Sequence, residues 1–240
     1  NTRHPILNLW TKNDSGEKIV IFEANNEQEE AQYIINSIVS QGGEYADYVV
    51  LYRTNAQSRV IEEAFLHAGL PYLLVGGTRF YERKEIKDCL AYLRLLANPK
   101  DMASYKRIQK LGKGRLKKFL KFAEKFDQQK LKTELSTLEI LDKVLEATDY
   151  LDLFDKKDEK DLTRLENIKE LRSVATEFPK LVNFLENVAL VQQEYLPQNP
   201  EGNQKKNAVT LMTTHAAKGT EFPVVFMVGM EEGLFPHSRS

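Results

Sequence analysis

Apolar positions in the first hundred residues switch between two periods. Lys18–Glu23 (KIVIFE) is short, apolar and β-branched and predicts a strand. Asn26 stands three residues before Glu29, the spacing of a capped helix start, and Ala31, Ile34, Ile35 and Ile38 follow at helical spacing. Tyr48–Tyr52 (YVVLY) is an unbroken apolar run, the pattern of a strand covered on both faces. Val60, Ile61, Ala64, Phe65 and Ala68 mark a second helix, which Gly69 ends. Tyr72–Val75 predicts another strand, closed by Gly76-Gly77. Ile86, Cys89, Leu90, Leu93 and Leu96 give the apolar face of a third helix, stopped by Asn98-Pro99.

From Lys100 to Lys206 the helical period dominates, as in Leu138, Leu141, Val144 and Leu145, or Leu181, Phe184, Leu185 and Val188. Pro197–Asn207 (PQNPEGNQKKN) reads as a loop. Strand character returns in Ala208–Thr213 and Val224–Gly229. The economical fold is an α/β domain, a mostly parallel sheet with helices on both faces, formed by residues 1–99 and 207–240 and interrupted by an all-helical insertion at 100–206. In such sheets function gathers on the loops that leave the strand ends.

Composition narrows the class. With 240 residues, 42% apolar and 29% charged, the chain reads as soluble and globular. No apolar run approaches the roughly 18–20 residues of a membrane helix, so no membrane partner is expected. The start, Asn-Thr-Arg-His-Pro, lacks both an initiator Met and the apolar core of a signal peptide, and points to a chain that begins inside a longer protein. One cysteine, Cys89, rules out an internal disulfide and a cysteine-based zinc site and fits a reducing, cytoplasmic setting. His4, His67, His215 and His237 show no metal-ligand spacing. The net charge of −1 hides an asymmetry. Tyr105–Lys132 holds eleven Lys/Arg against two Asp/Glu, and Thr133–Lys206 holds ten against sixteen. A basic stretch in a neutral chain fits a polyanion contact; the competing reading is a solvated lysine-rich helix face.

Three segments after predicted strands carry candidate chemistry. In Leu51–Arg59 (LYRTNAQSR), Arg53 and Asn55 present donors beside a helix start, a natural phosphate site, unless Thr54 or Asn55 only caps the helix. In Gly76–Arg94 the glycine pair permits a tight turn, Arg79, Arg83 and Lys84 flank a ligand and Phe80 or Tyr81 stacks on a base; alternatively Phe80 packs the core. In Val209–Arg239 (VTLMTTHAAKGTEFPVVFMVGMEEGLFPHSR), nine positions hold Thr213, Thr214, His215, Lys218, Gly219 and Glu221, with the histidine in a strand-end loop beside a candidate helix N-terminus. Lys218-Gly219 is not a phosphate-binding loop, and no stretch matches G-x-x-x-x-G-K-[ST].

THAAKGTEFPVVFMVGMEEGLFPHSRS resembles motif V and its flank in the UvrD/PcrA/Rep family of superfamily-1 DNA helicases, and LYRTNAQSR with GGTRFYERKEIKDCLAYLRLLANP resembles the segment leading into that family's helical insertion. The resemblance is strong over residues 45–99 and 208–240 and loose over 100–207. It implies a RecA-like motor domain (2A) with a compact insertion (2B), taken from an ATP-dependent translocase that moves 3′ to 5′ on DNA in repair or replication. By the same resemblance Arg53, Asn55, Thr214 and His215 face single-stranded DNA, Gly219 and Glu221 face the nucleotide, and Lys218 couples the two surfaces. Gly112-Lys113-Gly114-Arg115 stands where the family's glycine-centred hairpins grip duplex DNA, which makes Lys113 and Arg115 candidate contacts. ATP and Mg2+ would serve the full-length protein, with the phosphate cradle on a separate motor domain (1A/1B), the motif VI arginine beyond Ser240, and no tightly bound cofactor or hydrolysis expected of this chain alone. Two departures stand out: Thr220 replaces the family's usual Leu, and an insertion of 107 residues is short for 2B. A different class is a non-enzymatic RecA-like module that binds nucleic acid or a partner protein, and a third is a helicase subunit fused to a nuclease.

Overall fold

A computed structural model describes residues 10–12, 16–128, 135–194 and 207–235; the expected loop Pro197–Asn207, apart from its last residue, and His4 and His237 lie outside them. Four strands, β1 (Tyr48–Tyr52), β2 (Tyr72–Val75), β3 (Val209–Thr213) and β4 (Val224–Met227), pair in the order β2-β3-β1-β4, every pair parallel. The register sets Val50 opposite Leu211 on one side and Phe226 on the other, so the unbroken apolar run predicted as a central strand is one. The protein is α/β with a RecA-like parallel sheet.

One face of the sheet is covered by α1 (Glu27–Gln41) and α2 (Ser58–His67). Ile34, Ile35 and Ile38 of α1 and Ile61 and Phe65 of α2 join Tyr48, Val50, Tyr52, Val209 and Leu211 in one apolar cluster. The periodicity placed these side chains correctly. Asn26 caps α1 by accepting from the Glu29 amide at 2.8 Å, while the Glu29 carboxylate turns outward to the amide and side chain of Asn25, both 2.7 Å away. On the opposite face Val49 and Met212 are buried at the centre, and Leu73, Val225 and Met227 stay exposed at the edges.

The strand expected at Lys18–Glu23 is not formed. A strand exists through its ladder partners, and among the described residues none pairs with this segment, so Ile19 and Ile21 are 93% and 91% exposed. Phe22 alone is anchored, stacked on Tyr33 of α1 with ring centroids 3.9 Å apart.

A second apolar cluster holds the helical part. It contains α3 (Lys84–Ala97), α4 (Met102–Lys110), α5 (Lys113–Gln128), α6 (Thr137–Ala147), α7 (Glu159–Glu177) and α8 (Leu181–Glu194). Phe80, Tyr81 and nearly the whole apolar face of α3 belong to this cluster. Tyr92 packs against Phe119 and Tyr150, at centroid distances of 5.1 and 5.9 Å. Tyr150 donates to Asp88 Oδ2 at 2.9 Å, and Arg107 Nε donates to Asp88 Oδ1 at 2.6 Å. Burial still outweighs these partners and pushes the Asp88 carboxyl above its ordinary value.

Between the two clusters runs a buried polar seam, where α2 meets α7. Arg59 donates through Nε to Glu170 at 2.6 Å and through Nη1 to Glu63 at 2.9 Å. Arg83 donates to the Thr78 carbonyl at 3.0 Å, to Asn167 Oδ1 at 2.7 Å and to Ser58 Oγ at 2.8 Å. Ser58 in turn donates to Glu62 at 2.6 Å, and Asn167 donates to Glu85 at 2.6 Å. Glu62 is fully buried, and its burial pushes the carboxyl up to about 6 against the bonds from Ser58 and the charge of Arg83.

A carboxyl whose folded value lies above its unfolded one stabilises fully below the unfolded value and loses that contribution as pH rises. For Glu62 the window runs from 4.5 to about 6, and the loss is about 2 kcal/mol. Denaturant melts of the Glu62→Gln variant at pH 5 and pH 7.5 are expected to lack this decline, so the variant gains on the parent as pH rises. Removing the Asp88 partner by Arg107→Ala is expected to cost about 1–3 kcal/mol in the same assay, because the carboxylate stays buried with one bond fewer.

Candidate nucleic-acid interface

Because the strands are parallel, their carboxyl ends share one edge, and the loops leaving that edge are in contact. The β1–β3 pairing continues past the strand ends: the Thr214 amide donates to the Tyr52 carbonyl at 2.9 Å. The next residues on each chain, Arg53 and His215, therefore face each other. Arg53 Nη1 lies 3.0 Å from His215 Nε2, a contact in which the guanidinium donates and the ring nitrogen accepts.

The Arg53 loop is fixed from below. Residues Asn55–Gln57 form one 3-10 turn, entered through a reciprocal cap between Thr54 and Gln57. The Gln57 side-chain oxygen accepts from the Arg53 amide at 3.0 Å and the Thr54 amide at 2.9 Å. Thr54 does cap, as the bland reading of this segment held, yet the cap is also what holds Arg53 at the edge. Ala56 is buried beneath the turn, and Asn55 remains half-buried beside Gly77, where an added Cβ would sit 3.6 Å from Asn55 Oδ1. Gly76, in the left-handed region at φ 74, brings the end of β2 against Ala216. Gly229, at φ 63, ends β4 directly over Gln57.

Residues Thr214–Gly219 fold as successive tight turns, so the helix N-terminus expected beside His215 is absent. The Ala216 amide bonds Thr213 Oγ1 at 3.2 Å, the Ala217 amide bonds the Thr213 carbonyl at 3.1 Å, and the Lys218 amide reaches the His215 carbonyl at 3.4 Å. Local hydroxyl and carbonyl acceptors satisfy the amides that a helix would leave pointing outward. Thr220 has a task here: its hydroxyl donates to the Ala217 carbonyl at 2.7 Å, a bond that a leucine cannot make. His215, Ala216, Lys218 and Gly219 are exposed and Thr214 is half-buried. Glu221 is exposed too, but it lies on the connection running back to the start of β4, whose first residue pairs with Tyr48 at the amino end of β1.

In the second candidate segment burial decides for the core, the alternative given above. Phe80 and Tyr81 are fully buried with their rings edge to face, so neither offers a surface to a base. Arg83 is spent in the polar seam, and the Arg79 guanidinium lies 5.9 Å over the Tyr72 ring. Lys84 alone of these stays exposed. Gly112, at φ 121, turns the corner between α4 and α5, and Lys113-Gly114-Arg115 open the first turn of α5. Lys113 is exposed there, whereas Arg115 is half-buried with Nη2 3.4 Å from the Asp149 carbonyl, and Lys118 pairs with the Asp149 side chain. These cations stand on the helical part, separate from the strand-end group formed by Arg53, Asn55, Thr214 and His215.

Sequence reasoning missed Gly229 and Asn167, and it set Gln57 in the loop without its role, although the Thr54-x-x-Gln57 spacing of a reciprocal cap was a signal for it. The others act through contacts 172 and 84 residues away in the chain, Gly229 on Gln57 and Asn167 on Arg83.

The UvrD-like helicase C-terminal domain profile matches residues 1–116 and 109–240, two stretches that meet at the α4–α5 corner. The ATP-dependent DNA helicase PcrA of Bacillus subtilis (strain 168) is 41% identical over 291 aligned positions that take in all of this chain. PcrA of Staphylococcus aureus (strain Mu50) is 37% identical and that of Staphylococcus epidermidis (strain RP62A) 36%, again over the whole chain. The chain spans 39% of the length of each of these relatives. With both parts of the profile matched and the strand-end loops meeting at one edge, the chain belongs to the UvrD-like helicase C-terminal domain family.

Proposed function

We propose that this chain is the second motor domain, with its insertion, of an ATP-dependent 3′–5′ DNA helicase. Residues 1–99 and 207–240 make the motor domain and 100–206 a compact insertion, with α3 as the shared element whose apolar face turns toward the insertion. The observation that carries the reading is the meeting of the half-buried Arg53 with the exposed His215, 3.0 Å apart where two central strands end. A cation and an imidazole side by side, held by backbone bonds and flanked by Asn55 and Thr214, match what a nucleic-acid phosphate needs. Among the described residues, neither side chain makes a hydrogen bond or ion pair beyond this mutual contact.

On this reading Lys218 links the single-strand edge to the nucleotide side, where Gly219 and Glu221 stand. These residues supply one carboxylate and backbone amides but no phosphate cradle, so the chain by itself does not fit a nucleoside triphosphate with Mg2+. We assign the nucleotide to a cleft shared with a further motor domain of the full-length protein, and no hydrolytic step is routed through this chain alone. Lys113, at the α4–α5 corner and within the basic stretch, is the better placed of the two duplex candidates, since Arg115 is partly occupied by Asp149. The aligned length of 291 positions against 240 residues supports a shortened insertion.

Binding of a fluorescent single-stranded oligonucleotide to the full-length protein tests the reading. Arg53→Ala is expected to weaken binding about tenfold and to flatten the salt dependence by about one unit, as loss of a phosphate contact requires. His215→Ala is expected to weaken it by a similar factor. Unchanged affinity and slope in both variants would remove the single-strand edge from the proposal. In the same preparation, DNA-stimulated ATP hydrolysis separates the helicase from a non-enzymatic binding module, which would bind DNA and show no turnover.

A further inference from the structure

The polar seam between α2 and α7 ends at the candidate interface. Helix α7, an element of the insertion, packs against the 3-10 turn Asn55–Gln57, which holds the Arg53 amide. Ser58 is the next residue after that turn. It accepts from Arg83 at 2.8 Å, and the same guanidinium donates to Asn167 of α7 at 2.7 Å. Asn167 is then fixed by its own donation to Glu85 at 2.6 Å. All four side chains are buried, so each bond is made without competition from water. The path from Asn167 of the insertion to the interface thus consists of two consecutive hydrogen bonds, through Arg83 to Ser58, and one packed turn, with the bond to Glu85 steadying its start.

Simple cohesion does not require this arrangement. An apolar contact between α2 and α7 would hold the two parts with less desolvation cost, and buried polar groups fix a unique geometry better than they add stability. Bonds with fixed direction tie the rotation of α7 to the position of Ser58, and Ser58 to the turn before it.

We propose that Arg83 and Asn167 are positioning residues for the single-strand edge, through which the insertion sets the affinity of the motor domain for single-stranded DNA. The inference rests on the reading of Arg53 and His215 given above. By linkage it works in both directions: a bound strand that orders the Arg53 loop also steadies α7.

The experiment uses the full-length protein and a labelled thymidine oligonucleotide, with hydrogen exchange of the α7 amides, Glu159–Glu177, as the second readout. Asn167→Leu is expected to weaken oligonucleotide binding about fivefold while leaving the salt slope unchanged, because no phosphate contact is lost. Asn167→Asp combined with Glu85→Gln exchanges donor for acceptor along the path and is expected to restore the affinity. In the parent the oligonucleotide slows α7 exchange, and in Asn167→Leu it does not. Should Asn167→Leu fail to fold, Ser58→Ala, which removes one acceptor of Arg83, takes its place with the same expectations. Normal affinity in Asn167→Leu or Ser58→Ala beside weakened binding in Arg53→Ala overturns the inference and leaves the interface standing. A flattened slope in Asn167→Leu, or α7 exchange indifferent to the oligonucleotide in the parent, overturns it as well. No effect of Arg53→Ala overturns the interface itself.

Discussion

Parallel pairing governs this molecule. Two neighbouring strands that run the same way must be joined by a chain that travels back from one end of the sheet to the other, and that connection needs about a dozen residues or more. Here β2 and β3 are neighbours, and the connection between them is everything from Gly76 to Ala208. The helical part is thus an enlarged crossover, anchored at both ends to adjacent strands. The same directionality gathers Arg53, Gly76, His215 and Gly229 at one edge, although they are spread over 177 residues of sequence.

An enlarged crossover needs a seat, and this one rests partly on ions. Arg59 meets carboxylates from its own helix and from α7, and Arg83 collects a backbone carbonyl, a serine and an asparagine. Such a seam is expensive to desolvate and adds little net stability, but it penalises every orientation in which the bonds do not match. The apolar clusters on either side supply cohesion. The seam supplies the angle.

Most of the sheet was legible in the sequence, because a strand covered on both faces has few alternatives to an unbroken apolar run, as in Tyr48–Tyr52. The helices with one apolar stripe were legible for the same reason, Ile34 to Ile38 being the clearest. Lys18–Glu23 shows the limit: its residues have strand composition, but pairing is a property of the neighbour and cannot be read from the segment itself. Phe80 and Tyr81 show a second limit, since an aromatic pair beside basic residues looks alike whether it meets a ligand or a core. The candidate site was readable to the extent that it follows from strand ends, which placed Arg53 and His215. Of its supports, Gln57 left the spacing of a reciprocal cap, whereas Asn167 acts through a tertiary contact that leaves no periodic trace. Thr220 was visible only as an oddity, and its bond to Ala217 explains why a hydroxyl suits a chain that turns tightly there.

Gly229 has a bearing on how the edge is held. Its left-handed backbone leaves so little room above Gln57 that even one added carbon would lie 2.0 Å from the amide nitrogen, while its own N–H is held at 2.9 Å by Glu30 of α1. The last turn of the fourth strand is therefore pressed on the very side chain that holds Arg53 and Thr54 in place. Only a residue without a side chain leaves that support its seat, so a methyl group placed there would drive into the clasp on the Arg53 and Thr54 amides.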